Sequence, residues 1–308
     1  MKKRWIILIA LLLIAIVAFL LLKPTTPDLT NYLGKSISEK DFVKVQNIEK
    51  YLSRENAPMP SEHVNILEEL EEIPTASALK RSDVNLLLEP GYLEVENGYC
   101  RLEDGTMYIA ALTKMPGVTL EMIDWWFWWH AAEGRRYQIW YPDMHYDITS
   151  YFRGSYADTT KTYSERLQLS THHVNEDVGS GAEDLLIDFM HPTEFGYAAN
   201  KLDPNKETII CARVGSEEMG SWGSEMTHFV RVTDEGVEMR SRFWIGNKIY
   251  TIDASEKVEL NPILNKAFIK KILIADEVGP NMFHHCAQEF HNLAEVLPEI
   301  YQRENPTK

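Results

Sequence analysis

The sequence predicts an α+β protein in which a curved antiparallel sheet grips a long C-terminal helix. Three observations predict it. Residues from about 38 to 90 show helical periodicity with few strand signals, those from Gly91 to about 255 show period-two alternation, and roughly the last fifty return to helix. Within the strand-rich region, Asp104-Gly105 and Glu235-Gly236 signal hairpins, and the Pro116-Gly117 turn precedes one helix beginning near Thr119. Pro262 to Ile274 is amphipathic, and Asn281 to about Arg303 reads as a longer helix in spite of Pro298. The pattern divides the chain into a transmembrane signal-anchor at 1–23, a linker at 24–37, a helical N-terminal lobe at 38–90 and a sheet-bearing domain at 91–305.

Composition narrows the function. The 308 residues carry 46 acidic and 31 basic side chains and are 44% hydrophobic, which describes a folded protein. Beyond residue 23 the balance is 46 acidic against 27 basic, so a duplex nucleic acid is excluded as a partner for want of a basic face. Cys100, Cys211 and Cys286 are too few and too scattered for a disulfide framework or a cysteine zinc site. Trp5 to Leu22 is an uninterrupted apolar run, long enough as a helix to cross a bilayer, and it lacks small residues before a cleavage point. Lys2, Lys3 and Arg4 precede it, so the expected arrangement is single-pass, N-terminus cytoplasmic and the body extracytoplasmic, with secretion after cleavage as the alternative.

Polar residues at inward positions mark a candidate site. On a helical wheel from Phe283, the stripe Phe283, Cys286, Phe290, Leu293, Leu297 and Tyr301 faces the core. One flank carries His285 and Glu289 at i,i+4, able to present a nitrogen and an oxygen to one cation, and the other carries His284, Gln288 and His291. Strand alternation over 171–178 puts His172, Val174 and Glu176 on one face, so Glu176 points inward, where a carboxylate must be paired, protonated or bound to metal. His228 likewise shares a face with Met226, Val230 and Val232. The run Trp125-Trp126-Phe127-Trp128-Trp129-His130 ends a helix, and Arg136, Tyr137, Trp140, Pro142 and His145 follow it as an aromatic-rich strand. Together His130, Glu176, His285 and Glu289 supply two nitrogens and two carboxylates, a mixture that suits zinc better than manganese or iron.

An ordered set of motifs resembles the 2,4-diacetylphloroglucinol hydrolase and phloretin hydrolase family. It comprises Trp125-Trp126-Phe127-x-Trp129-His130, Arg136-Tyr137-x-x-Trp140-x-Pro142-x-x-His145, His173-Val174-x-Glu176-Asp177-x-Gly179, and His285-Cys286-x-x-Glu289 with Leu297-Pro298-Glu299-Ile300-Tyr301. The resemblance implies a Bet v 1-like helix-grip domain with one zinc ion per chain. It also implies hydrolysis of the carbon–carbon bond between an aromatic ring and an acyl carbonyl, releasing a carboxylic acid. Carried over residue by residue, it places the metal ligands at His130, Glu176, His285 and Glu289 and a further active-site histidine at His228.

The expected partner is a small aromatic acyl ketone such as an acylated polyphenol, whose ring oxygens delocalise the charge left on the ring carbon. His228 is the first candidate for proton transfer, followed by Tyr137, His145 and His172. The tyrosine- and serine-rich stretch from about Asp147 to Glu165 reads as an insertion near the site, and a homodimer is compatible with the sequence. Two alternatives stand beside this reading: a binding protein for an apolar or aromatic ligand without catalysis, and a metal-dependent ester or amide hydrolase.

Overall fold

The structure, a computed structural model, describes residues 33–217, 220–251 and 264–306. Among these, nine strands form one sheet: β1 (Lys35–Ser36), β2 (Gly98–Arg101), β3 (Met107–Pro116), β4 (His145–Phe152), β5 (Ser170–Asp177), β6 (Ala182–Met190), β7 (Glu207–Ser216), β8 (Ser221–Thr233) and β9 (Gly236–Thr251). Their order is β1-β4-β5-β6-β7-β8-β9-β3-β2, and every neighbouring pair is antiparallel. The strands from β4 to β9 therefore run as a meander, and the β2–β3 hairpin adds to its far edge. Both hairpin signals fall at turns, between Arg101 and Met107 and between Thr233 and Gly236.

Among the described residues the α-helical elements are α1 (Glu49–Leu52), α2 (Ser61–Glu69), α3 (Leu120–Trp129), α4 (Gly134–Trp140), α5 (Tyr163–Leu167), α6 (Pro192–Phe195), α7 (Ala267–Leu273) and α8 (Val278–Glu304). Thr119 caps α3 by accepting from the Met122 amide, a contact worth about 1 kcal/mol. α8 runs through Pro298 because Leu297, Ile300 and Tyr301 are buried on either side of it. Such burial contributes roughly 1.5–3 kcal/mol per large apolar side chain, enough to offset the ~3 kcal/mol cost of an interior proline.

α8 packs on β2 and β3, and α3 lies against β7 and β8 on the same face of the sheet. Phe283, Cys286, Phe290, Leu293 and Leu297 are fully buried there, the stripe the wheel identifies. The second flank of α8 is partly covered by the N-terminal segment, which buries Gln288 and leaves His284 and His291 half-buried. Gln288 donates to the Ala57 carbonyl, Asn292 accepts from the Ala57 amide, and His291 contacts His63. The opposite face of the sheet holds a second core of Cys100, Tyr108, Cys211, Phe229 and Trp244, covered by the 3-10 turns over Thr75–Ser77 and Arg81–Leu88 and by α6.

Several expectations are corrected. Residues 134–140, expected as an aromatic-rich strand, are helix α4, and helices α5 and α6 also interrupt the strand region. The 147–165 stretch is not simply an insertion: most of β4 lies in it and pairs with β5, while Tyr156 and Tyr163 cover Trp128. That cover explains why the tryptophan-rich last turns of α3 are apolar nearly all round, since sheet, α8 and this segment surround them. The transmembrane helix expected at 5–22 lies outside the described residues, and among the described residues no helix is long and apolar enough to cross a membrane. The α+β architecture is therefore described without a membrane anchor, and the single-pass, extracytoplasmic localisation that followed from the anchor is set aside.

Candidate metal centre

Three elements converge at the end of α8 nearer its start. β5 alternates as expected, with His172, Val174 and Glu176 buried and His173, Asn175 and Asp177 half-buried. α8 presents His285 and Glu289 from successive turns on one face, both buried. β4 supplies His145 directly across from Glu176. A bulge in β4 carries it there: the register skips between His145 and Asp147, so Tyr146 is the extra residue and turns out to solvent. His145 thereby reaches the face that Ile148 and Ser150 occupy, whereas strict alternation would put it on the other.

The side chains meet closely. His145 Nε2 lies 3.2 Å from His285 Nε2, 3.6 Å from Glu176 Oε2 and 3.6 Å from Glu289 Oε2, and His285 Nε2 lies 3.9 Å from Glu289 Oε2. Among the described residues, the group of His, Cys, Asp and Glu side chains drawn together within ligand range is His145, His285 and Glu289, all within 4.8 Å of one another. Glu176 adjoins it through His145, and the Tyr137 hydroxyl donates to Glu176 Oε2. The Tyr137 ring stacks flat on that of His145, centroids 4.1 Å apart and planes within 2°.

Hydrogen bonding fixes the tautomers. His285 Nδ1 donates to the Asp177 carbonyl at 3.0 Å, and His145 Nδ1 points at the Tyr137 carbonyl at 3.4 Å. Both protons then sit on Nδ1, so two Nε2 lone pairs face each other at 3.2 Å with two carboxyl groups beside them. Electron pairs in that arrangement repel, and a cation between them removes the conflict. The electrostatics agree. Burial pushes Glu176 up to about 7 against the pull of the Tyr137 hydroxyl, and burial, then Glu176, raises Glu289. Burial lowers His285 to about 4, and burial, then His285, holds His145 well below its ordinary value. Neutral imidazoles and carboxyl groups gathered in this way could hold a metal ion.

The remaining expected residues lie nearby in other roles. His130, expected as a ligand, lies outside the close group of His145, His285 and Glu289: its Nδ1 donates to the Trp126 carbonyl at 2.8 Å, and its ring lies among Trp126, Phe127, Tyr137 and Trp140. The tight exit from α3 turns it back onto that helix, and His145, expected only for proton transfer, is the histidine that lies close to His285 and Glu289. His172 contacts His130 edge to face at 5.5 Å, and its Nε2 donates to Ser170 Oγ at 3.3 Å. His228 pairs through Nδ1 with Ser241 Oγ at 2.8 Å and is ringed by Phe127, Phe243 and Phe290. Burial takes both His130 and His228 down to about 3, so both are neutral at pH 7. Trp126 Nε1 and Trp140 Nε1 are buried donors with no partner among the described residues, a feature that no sequence signal announces.

Comparison with known proteins gives the family. The family model described as "DAPG hydrolase PhiG domain" matches residues 79–302. Phloretin hydrolase of Eubacterium ramulus is 34% identical over 277 residues, covering 89% of this chain and 96% of its own. The 2,4-diacetylphloroglucinol hydrolase of Pseudomonas protegens is 29% identical over 227 residues, covering 71% of this chain and 72% of its own. With the family match spanning every element that builds the centre, this chain belongs to the DAPG hydrolase family and is a hydrolase acting on carbon–carbon bonds in ketones.

Proposed function

We propose that the chain cleaves the bond between an aromatic ring carbon and the acyl carbonyl of an acylphloroglucinol-like ketone, with a zinc ion held by His145, Glu176, His285 and Glu289. The observation that carries the reading is the pair of Nε2 lone pairs 3.2 Å apart, flanked by two buried carboxyl groups. Nitrogen and oxygen donors in that proportion suit zinc. Relatives named for phloretin and for 2,4-diacetylphloroglucinol support the substrate class. Bound there, the ion supplies Lewis acidity to the acyl carbonyl and to a water molecule.

The chain's own residues do the rest. Tyr137 holds the Glu176 carboxylate by its hydroxyl and supports the His145 ring by stacking. His228, neutral at rest, takes a proton from the attacking water and passes it to the departing ring carbon. Its Ser241 partner is a hydroxyl, able to give or accept a hydrogen bond, so Nε2 serves with or without a proton. Phe127, Phe243 and Phe290 keep water from that nitrogen, which protects the proton transfer from leakage. The indole N–H groups of Trp126 and Trp140, without partners among the described residues, are available to the oxygens of the substrate ring.

Elemental analysis tests the centre. The purified chain should carry zinc, His145→Ala and Glu289→Ala should lose it, and His130→Ala should keep it. Release of the carboxylic acid and the free phenol from phloretin or diacetylphloroglucinol, followed by chromatography, tests the reaction. A chain that takes up no metal when zinc is supplied sinks the mechanism.

A further inference from the structure

We propose that Asp177 is the positioning residue of this centre, locking Glu176, His285 and His145 into one constellation through its backbone and its carboxylate. The inference rests on the metal reading above. It also accounts for the Asp177-x-Gly179 part of the third sequence motif, which the reaction leaves unexplained.

Asp177 ends β5, one residue beyond Glu176, and four hydrogen bonds radiate from it. Its amide donates to the Met144 carbonyl at 2.8 Å, immediately before His145. Its carbonyl accepts from His285 Nδ1 at 3.0 Å. Its Oδ1 accepts from the amides of Gly179 at 2.7 Å and Gly181 at 3.0 Å, which closes the turn into β6. One residue thus neighbours one ligand in sequence, fixes the tautomer of a second and anchors the strand that carries a third.

The turn is itself seated on α8. Asn281, one helical turn before His285, donates through Nδ2 to the Gly179 carbonyl at 2.9 Å. Gly179 has φ +102°, and a Cβ there would stand 2.6 Å from Asn281 Cγ, so a glycine is required both for the conformation and for the approach. The physical point is leverage. A carbonyl orients an imidazole only while its own peptide plane is fixed, and this plane sits at a strand end followed by two positive-φ glycines, Gly179 and Gly181, the most conformationally free residues available. The Asp177 carboxylate and Asn281 remove that freedom. Without them the carbonyl swings, His285 samples its other tautomer, and Nε2 no longer presents a lone pair to the centre.

The test uses the full chain and two readouts that need no substrate. Zinc affinity, measured by competition with a chelator, should weaken about 10–100-fold in Asp177→Ala, the usual scale for a partner behind a ligand. Asp177→Asn, which keeps the accepting oxygen, should retain most of it. Imidazole ¹⁵N spectra of the zinc-free chain should show His285 as the Nδ1–H form in the parent and as mixed tautomers in Asp177→Ala. Unchanged affinity together with unchanged His285 spectra overturns the proposal and leaves Asp177 a turn stabiliser only. If Asp177→Ala does not fold, Asn281→Ala releases the same turn from the helix side and should shift both readouts in the same direction. A parent that binds no zinc refutes the metal reading, while the spectra, recorded without metal, still decide on Asp177.

Discussion

On the face of the sheet away from α8, Arg240 and Arg242 are 1% and 0% exposed and both pair with Glu96, whereas the face toward α8 buries two imidazoles and two carboxyl groups together. In the outer cluster each charge meets its opposite. Arg240 spends its remaining donor on the Leu87 carbonyl, Arg242 donates to the Ser241 carbonyl, and the two guanidinium groups hold Glu96 below its ordinary value although burial would raise it. Among the described residues, no lysine or arginine pairs with Glu176 or Glu289, and burial raises both. The difference teaches how to tell scaffold from site. Buried charge that finds its opposite inside the protein holds elements together, whereas like groups gathered without a counter-charge are kept for something the chain binds.

Four measurements break or sharpen that contrast. Glu289→Ala should abolish zinc binding and lower turnover by on the order of 10³-fold or more, since Lewis-acid stabilisation is worth several kcal/mol. Metal content and initial rates check it. On the outer face, Glu96→Gln should cost about 3–5 kcal/mol of stability by leaving two buried guanidinium groups uncompensated, with the zinc affinity of the folded fraction unchanged. Denaturant melts paired with metal titration check that, and a loss of zinc affinity without a loss of stability would dissolve the distinction between the faces. His228→Phe should lower kcat by on the order of 10²-fold, as expected for a lost proton donor, while zinc content stays at the parent level.

The smallest effect concerns a carboxyl group whose partner is neutral. Burial pushes Asp124 on α3 up to about 6, against the hydrogen bond it accepts from Thr208. The unfolded chain ionises this group near 3.8, so folding takes up a proton between there and about pH 6, and stability falls as pH rises through that window. Asp124→Asn should therefore match the parent near the bottom of the window and exceed it by about 1–2 kcal/mol above the window, a discounted figure for a half-buried group. Melts across the pH range read the difference, and parallel curves would show that burial does not raise this carboxyl.

Much of this was written locally in the chain. Helical spacing put His285 and Glu289 on one face of α8, and strand alternation put Glu176 and His228 inward, because both periods follow from backbone geometry that each segment carries by itself. The antiparallel α+β class followed from the same periods and from two hairpin signals. The choice between His130 and His145 was not local. A run of tryptophans drew attention to His130, yet its place depends on a corner between two helices that returns it to the Trp126 carbonyl. His145 depends on a bulge that breaks alternation and on a cross-strand partner, Glu176, distant in sequence. The role of Asp177 depends likewise on where its carbonyl meets α8. Periodicity determined which residues face inward; only the tertiary structure decided which of them meet, because register, bulges and helix corners are set by packing between segments.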